Sequence, residues 1–337
     1  MTIIELVVSL VAILAAAVFF TNAVEILGGR LNLGQGSVGS VLAAVGTALP
    51  ETMIPVVAIV GALILGRDPQ SASDIGIGAI LGAPFLLATL ALFVVGASAL
   101  GFRSRRENGT ELVIHREVTA RDIAFFLIFF TIASGAGIVT LPIYVKVAIA
   151  VVLVGAYAFY VGRTIKSGGE SEGEEPKNLI LWPSRAEAPT WAVAAQVAGS
   201  VAVMAAGAHF FVTAVEHLSK EVGIPAGLIA LVLAPLATEL PEKFNSMIWV
   251  RDGKDTLAFG NISGAMVFQS TIPVSLGLVF TKWQLNSLSV LAVGLALASG
   301  VLLYVLLRSK RPIKAPYLLL GGMMYAAFAV AAVWSLI

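Results

Sequence analysis

The chain is dominated by apolar stretches that are each long enough to cross a lipid bilayer. A transmembrane helix needs about 20 mostly apolar residues. Because backbone polar groups in lipid must be satisfied within the segment, such stretches fold as helices. We count ten of them, at roughly 3–27, 36–66, 74–100, 121–138, 141–163, 190–218, 224–250, 255–281, 284–307 and 315–336. The sequence therefore predicts an all-α membrane protein with ten transmembrane helices.

The composition excludes several functional classes. Hydrophobic residues make up 58% of the chain and charged residues 12%, whereas soluble domains average about 45–50% and about 25%. With a net charge of +1 and no basic tract, we expect no nucleic-acid partner. There are no cysteines and only three scattered histidines. We therefore expect no resident cofactor and no intramembrane enzyme.

The first apolar stretch resembles a signal peptide but lacks the basic n-region that such a peptide has. It also has a counterpart later in the chain, described below. We therefore expect it to be a retained transmembrane helix.

The lysines and arginines predict the orientation. If the loops alternate sides, sixteen of the 21 basic residues lie on one side of the membrane. Cytoplasmic loops carry such an excess. We therefore place the long polar loops 102–122 and 163–189 in the cytoplasm and both termini outside, in the cell (inner) membrane.

The sequence contains an internal repeat. Residues 19–51 align without a gap on residues 210–242, and both segments carry Phe-Phe-x-x-Ala-Val-Glu and Thr-x-Leu-Pro-Glu. The similarity resumes in the following helix, where GAILGAP (78–84) matches GNISGAM (260–266). Charged residues are repeated along with apolar ones, which duplication for stability alone does not explain.

The repeat divides the chain into two halves. We predict a first five-helix repeat at 1–165, a cytoplasmic linker at 166–189 and a second repeat at 190–337. The repeated motifs occupy about 36–100 and about 224–281. Because five is odd, the second copy enters the membrane from the opposite side. Such inverted repeats are a recurrent transporter architecture, with the substrate site between the halves.

Glu51 and Glu242 occupy equivalent places near the middle of the second and seventh spans. A charge at that depth costs at least about 2.5–3.5 kcal/mol, and such residues usually face a cavity or a partner. A glutamate that stays protonated and hydrogen-bonds a neighbouring helix is the alternative reading.

A proline precedes each of these glutamates, at Pro50 and Pro241. Since proline lacks an N–H and clashes with the carbonyl four residues back, we expect a kink at each and free carbonyls there. The predicted cation ligands around the two glutamates are the backbone carbonyls of Gly46 and Ala237 and the hydroxyls of Thr47 and Thr238. This set is all oxygen, which suits hard cations such as Ca²⁺.

The second half offers further polar groups. Glu239 and Lys243 are four residues apart on one helix, which suits an ion pair. They either neutralise each other or place Lys243 at a cation position. Asn261 and Gln269 either share a polar face toward the site or form hydrogen bonds between helices.

The paired phrases, each followed by a glycine-containing helix, resemble the repeats of the sodium/calcium exchanger family, in the cation/calcium antiporter superfamily. The resemblance implies ten helices in two inverted halves, and it assigns Thr47, Glu51, Thr238 and Glu242 to ion binding. The sequence departs from the family pattern where that pattern has serine, asparagine or aspartate. The departures are Ala48, Ala83, Pro84, Leu87, Glu239, Ala265 and Gln269. We therefore identify a divergent member with fewer sodium ligands.

We expect a secondary active antiporter that exports Ca²⁺ in exchange for Na⁺ or H⁺ by alternating access. A monovalent cation/proton antiporter on the same fold is the alternative, and a cation channel is a more remote one. The expected partners are the lipid bilayer and inorganic cations, with a monomer as the functional unit.

Overall fold

The computed structural model describes residues 2–30, 38–166, 178–182 and 188–337. Within these ranges, the side chains of Glu25, Gly28, Gly29, 38–47, Leu63, Leu65, Ile165, Lys166 and 240–242 lie outside the description.

Helices account for nearly all of the described residues. In the first half they are α1 (Thr2–Arg30), α2 (Val38–Leu65), α3 (Pro69–Leu86), α4 (Leu92–Gly101), α5 (Arg116–Ile138) and α6 (Ile143–Lys166). In the second half they are α7 (Thr190–Val222), α8 (Ala226–Arg251), α9 (Asp255–Gln269), α10 (Ile272–Phe280), α11 (Ser287–Arg308) and α12 (Ala315–Trp334). Two short strands, β1 (Glu111–Leu112) and β2 (Ile313–Lys314), form an antiparallel pair.

The ten predicted spans are found at the expected places. Among the described residues, eight helical segments are long and apolar enough to cross a membrane, and α2 and α8 contribute the shorter apolar stretches Ala48–Ala62 and Ala226–Glu239. The prediction of an all-α, multi-pass membrane protein is thus confirmed.

Two spans are interrupted, in equivalent places of the two halves. Between α3 and α4 the chain forms a π-helical turn, Leu87–Ala91, shortly after Pro84. A π turn accommodates a residue that disturbs the normal ladder, and proline does so because it has no N–H. Between α9 and α10 the helix stops at Ser270 and Thr271. Both breaks follow the repeated phrases by one helix.

The contacts between helices occur in pairs that are related by swapping the two halves of the chain. α1 packs along α7, and α5 packs along α11. α4 contacts α12 as α10 contacts α6, and α9 contacts α5 as α3 contacts α11. Each contact maps onto its counterpart when the halves are exchanged. The boundaries near residues 165 and 190 remain a prediction.

Several equivalent contacts differ in extent, and the largest difference concerns α3 and α8. α3 packs closely along α8, whereas α2 and α9 touch over a much smaller region. The close approach depends on glycine, because a Cβ on Gly78 would meet the Gly227 carbonyl and one on Gly82 would meet the Leu231 carbonyl. Small residues allow helix backbones to approach in this way. The two halves therefore differ in how tightly they close around the centre.

A buried ion pair fastens one end of the bundle. Arg106 donates to both carboxylate oxygens of Asp255, at 2.7 Å each, and the pair is almost fully buried. The pairing of β1 with β2 and the bonds from Arg116 to the Ser309 and Arg311 carbonyls tie the neighbouring loops together. Loops rich in arginine and lysine thus meet on one face, as the charge distribution predicted.

We expect Gly82→Ala to destabilise the protein, because the new methyl group would overlap the Leu231 carbonyl and the Pro235 ring. Overpacking of this kind costs about 1–3 kcal/mol. The measurement is the thermal unfolding midpoint in detergent, compared with Gly155→Ala, where a Cβ would meet open space. Equal midpoints for the two variants would contradict a tight α3–α8 contact.

Candidate cation site

The two helices that carry the repeated phrases remain helical through their prolines. α2 continues past Pro50 and Pro55, and α8 continues past Pro235 and Pro241. The kinks and free carbonyls expected at Pro50 and Pro241 stay predictions, and the helical structure itself is not broken there. Neighbouring turns sustain the helix around a missing N–H, as membrane helices allow. Irregular turns lie instead in the next spans, and the one after α9 lies beside Glu51.

Glu51 lies inside the bundle with 8% of its surface exposed. Gln269 donates a hydrogen bond to its carboxylate through Nε2. Gln269 is the last residue of α9 and is itself buried. The break after α9 thus places an amide of the second half beside the carboxylate of the first half, which the sequence spacing did not predict.

Glu239 and Lys243 form an ion pair inside α8. The Lys243 Nζ lies 3.0 Å from Glu239 Oε2, and the side chains are 2% and 0% exposed. Lys243 also donates to Asn261 Oδ1 on α9, at 3.5 Å. Beyond this ion pair, the described residues make no hydrogen bond to either oxygen of Glu239.

The two polar residues of α9 contact different groups. Gln269 contacts Glu51, while Asn261 contacts Lys243. They therefore link α9 to both phrase-bearing helices. This geometry combines the two alternatives from the sequence, since the residues bridge helices and also lie next to the ionisable groups.

Thr238 is buried, and its hydroxyl donates to the Ala234 carbonyl at 3.0 Å. That bond uses the hydrogen and leaves lone pairs on the oxygen for a ligand. Ala237 is half-buried on the same helix. Its carbonyl faces the position of Pro241, which has no N–H to donate.

Three predicted site positions fall outside the described side chains. For Gly46, Thr47 and Glu242 only the helical backbone is described. Their participation, and a shared site of Glu51 with Glu242, stay predictions. Among the described residues, no three histidine, cysteine, aspartate or glutamate side chains group as a metal cluster. Ligands for a cation in this region would therefore include amide, hydroxyl and carbonyl oxygens.

A further buried carboxylate, Asp122, was missed from the sequence. Asp122 of α5 accepts hydrogen bonds from Ser263 of α9, at 2.9 Å, and from Tyr160 of α6, at 3.0 Å. It also pairs with Arg121 at 3.1 Å. The predicted span 121–138 and the polar loop 102–122 overlap at these two residues, and an aspartate at the start of a predicted span was the available signal.

The central groups make a region that favours cations. Buried charges are stable only when paired and hydrogen-bonded. Lys243 pairs with Glu239, and Gln269 donates a hydrogen bond to Glu51.

Comparisons with known proteins agree on the family. A family model described as sodium/calcium exchanger protein matches residues 1–166 and 192–337. A relative from Alkalimonas amylolytica, a putative antiporter named CaxA, is 24% identical over 299 residues, which cover 88% of this chain and 80% of that protein.

Solved structures share the fold. The crystal structure of the H⁺/Ca²⁺ exchanger CAX matches with a TM-score of 0.74 at 17% identity, covering 98% of this chain and 82% of that one. A structure of the sodium-calcium exchanger NCX_Mj matches with a TM-score of 0.58 at 19% identity, covering 98% and 97%. These likenesses place the helices of this chain in an exchanger arrangement.

We expect Lys243→Met and Glu239→Gln each to destabilise the protein, while the double variant recovers most of the loss. Removing one partner of a buried pair leaves an uncompensated group, at a cost of about 3–5 kcal/mol. The measurement is the free energy of unfolding in detergent for all four proteins. Additive losses in the double variant would show that the two side chains are not coupled.

Proposed function

The chain belongs to the sodium/calcium exchanger protein family, and from that premise we propose that it is a secondary active antiporter that exports Ca²⁺ by alternating access. The observation that carries this proposal is the contact between Glu51 of α2 and Gln269 of α9. It joins a buried carboxylate of one half to a polar group of the other, at a point where the helix is interrupted. Inverted-repeat transporters bind their substrates in such places.

Ca²⁺ is the favoured substrate because the available ligands are oxygens. We propose that Glu51 and Glu242 hold the ion, with oxygens from Thr47, Thr238, Gly46 and Ala237 completing its coordination. Ca²⁺ takes six to eight oxygen ligands in flexible geometry. Three glutamates and one lysine at the centre carry a net charge of about −2 when all are ionised, which matches the charge of one divalent cation.

The counter-ion competes for the same carboxylates. Where the family pattern has serine or asparagine, this chain has Ala48, Ala83 and Leu87, which are buried and carry no side-chain oxygen. These positions cannot supply side-chain ligands to several sodium ions. The observation favours H⁺ over Na⁺ as the exchanged ion, and the relative named H⁺/Ca²⁺ exchanger has the same fold. Exchange of a monovalent cation for H⁺ at this site is the second candidate.

The unequal packing supports alternating access. α3 and α8 are closed on each other, whereas their counterparts α9 and α2 are not. If the α3–α8 contact loosened while the α2–α9 contact tightened, the site would open to the opposite side of the membrane. We propose that the halves 1–165 and 190–337 undergo this exchange in a cell membrane, with both termini outside and a single chain as the working unit.

In proteoliposomes we expect saturable uptake of radioactive Ca²⁺ that requires an opposed gradient. Proton and sodium gradients are imposed one at a time, and the favoured outcome is uptake driven by the proton gradient. Uptake that is independent of any gradient would indicate a channel. Uptake of K⁺ or Na⁺ without Ca²⁺ would indicate the monovalent exchanger.

We expect Glu51→Gln and Glu242→Gln each to reduce uptake to the level of empty liposomes, because each removes one charge from the bound ion. Glu107→Gln is the matched control, since Glu107 is exposed in the loop before β1 and should leave uptake unchanged. Full activity of either buried variant would contradict the site.

A further inference from the structure

A groove between α5 and α6 has no part in the proposed transport. It encloses about 390 Å³ and opens to the outside of the helix bundle. Its body is apolar and aromatic, with Phe125, Phe129 and Phe159 among the lining residues. Phe159 is 69% exposed although it lies in a membrane-spanning helix. The groove therefore faces the lipid.

Three arginines line one end of this groove. Arg121 lies in the first turns of α5, Arg163 near the end of α6, and Arg308 at the end of α11. One carboxylate, Glu117, shares the lining. Aromatic contacts hold two of the guanidinium groups, since Arg121 lies over the Tyr160 ring and Arg308 over the Tyr304 ring. The groove thus carries positive charge at one end and an apolar surface along the rest of its length.

We propose that this groove binds an anionic phospholipid. Guanidinium groups match phosphate oxygens through paired, charge-assisted hydrogen bonds. The phosphate would lie among Arg121, Arg163 and Arg308, and an acyl chain would lie along the phenylalanines. Basic groups at the end of a membrane span attract acidic lipids in this way. The excess positive charge favours a lipid with net negative charge over a zwitterionic one.

The groove is connected to the interior of the protein. Arg121 and Tyr160, which line it, both bond to Asp122, and Asp122 accepts a hydrogen bond from Ser263 of α9. A lipid phosphate bound to Arg121 therefore extends the hydrogen-bond network around Asp122, which joins α5, α6 and α9. Because α9 also carries Gln269, the lipid stabilises the helix that contacts Glu51.

The test is lipid binding by the full-length protein in neutral detergent, followed by native mass spectrometry. Phosphatidylglycerol and phosphatidylcholine with identical chains are the probes. We expect preferential retention of phosphatidylglycerol and about 25-fold weaker binding in Arg163→Gln/Arg308→Gln, since each basic group near acidic lipid contributes about fivefold. In the part of the chain that the structure describes, neither arginine contacts Asp122, so the double variant leaves the buried junction intact.

Arg103→Gln/Arg105→Gln is the matched control, because it removes the same charge from exposed positions on the same face of the protein. It should retain wild-type affinity. If both double variants lose phosphatidylglycerol affinity equally, the binding depends only on surface charge. If the wild-type protein retains both lipids equally, the groove selects for the acyl chains and not for the headgroup. Either result overturns the proposal.

A second measurement does not depend on the variants. Phosphatidylglycerol should raise the melting temperature of the wild-type protein more than phosphatidylcholine does, because it adds to the Asp122 junction. Identical melting temperatures would count against the proposal. Neither measurement involves transport, so their failure is distinguishable from failure of the antiport proposal.

Discussion

The need to balance charge inside the bilayer shapes the whole molecule. Ions there have little water to solvate them, so each must find a partner or change its state. The Glu239–Lys243 pair meets this need within one helix. The Arg106–Asp255 pair is buried in the same way where a loop meets α9 at one end of the bundle. Gln269 of the other half donates a hydrogen bond to Glu51.

Helix interruptions serve the same need. An unbroken helix satisfies its own backbone and offers a cation little beyond side chains. The stop at Ser270 and Thr271 and the π turn at Leu87–Ala91 loosen that arrangement in equivalent spans. Close packing of α3 on α8 through glycines keeps these irregular segments covered by protein. Irregular backbone at the centre therefore coexists with a well-packed core.

The candidate site could be predicted only in part. The repeated phrase pointed to Glu51, Thr238 and the Glu239–Lys243 pair, and the structure buries all four side chains. The phrase also predicted kinks at Pro50 and Pro241, and α2 and α8 remain helical through these positions. A proline removes one hydrogen bond, but surrounding helices decide whether the chain unwinds. One hydrogen-bond partner of Asp122, Ser263, lies on α9, far along the chain, so the sequence did not show what Asp122 contacts.

The sequence by itself determined the ten spans, the duplication and the end of the bundle where basic loops gather. These features follow from hydrophobic length and charge distribution, which are local and need no knowledge of neighbours. Only the tertiary structure decided that Gln269 contacts Glu51 and that Asn261 contacts Lys243. It also decided that α3 packs closely along α8 while α2 and α9 touch over a much smaller region. Such choices depend on how helices distant in sequence pack, because hydrogen-bond partners and close approaches are set by the relative positions of whole helices.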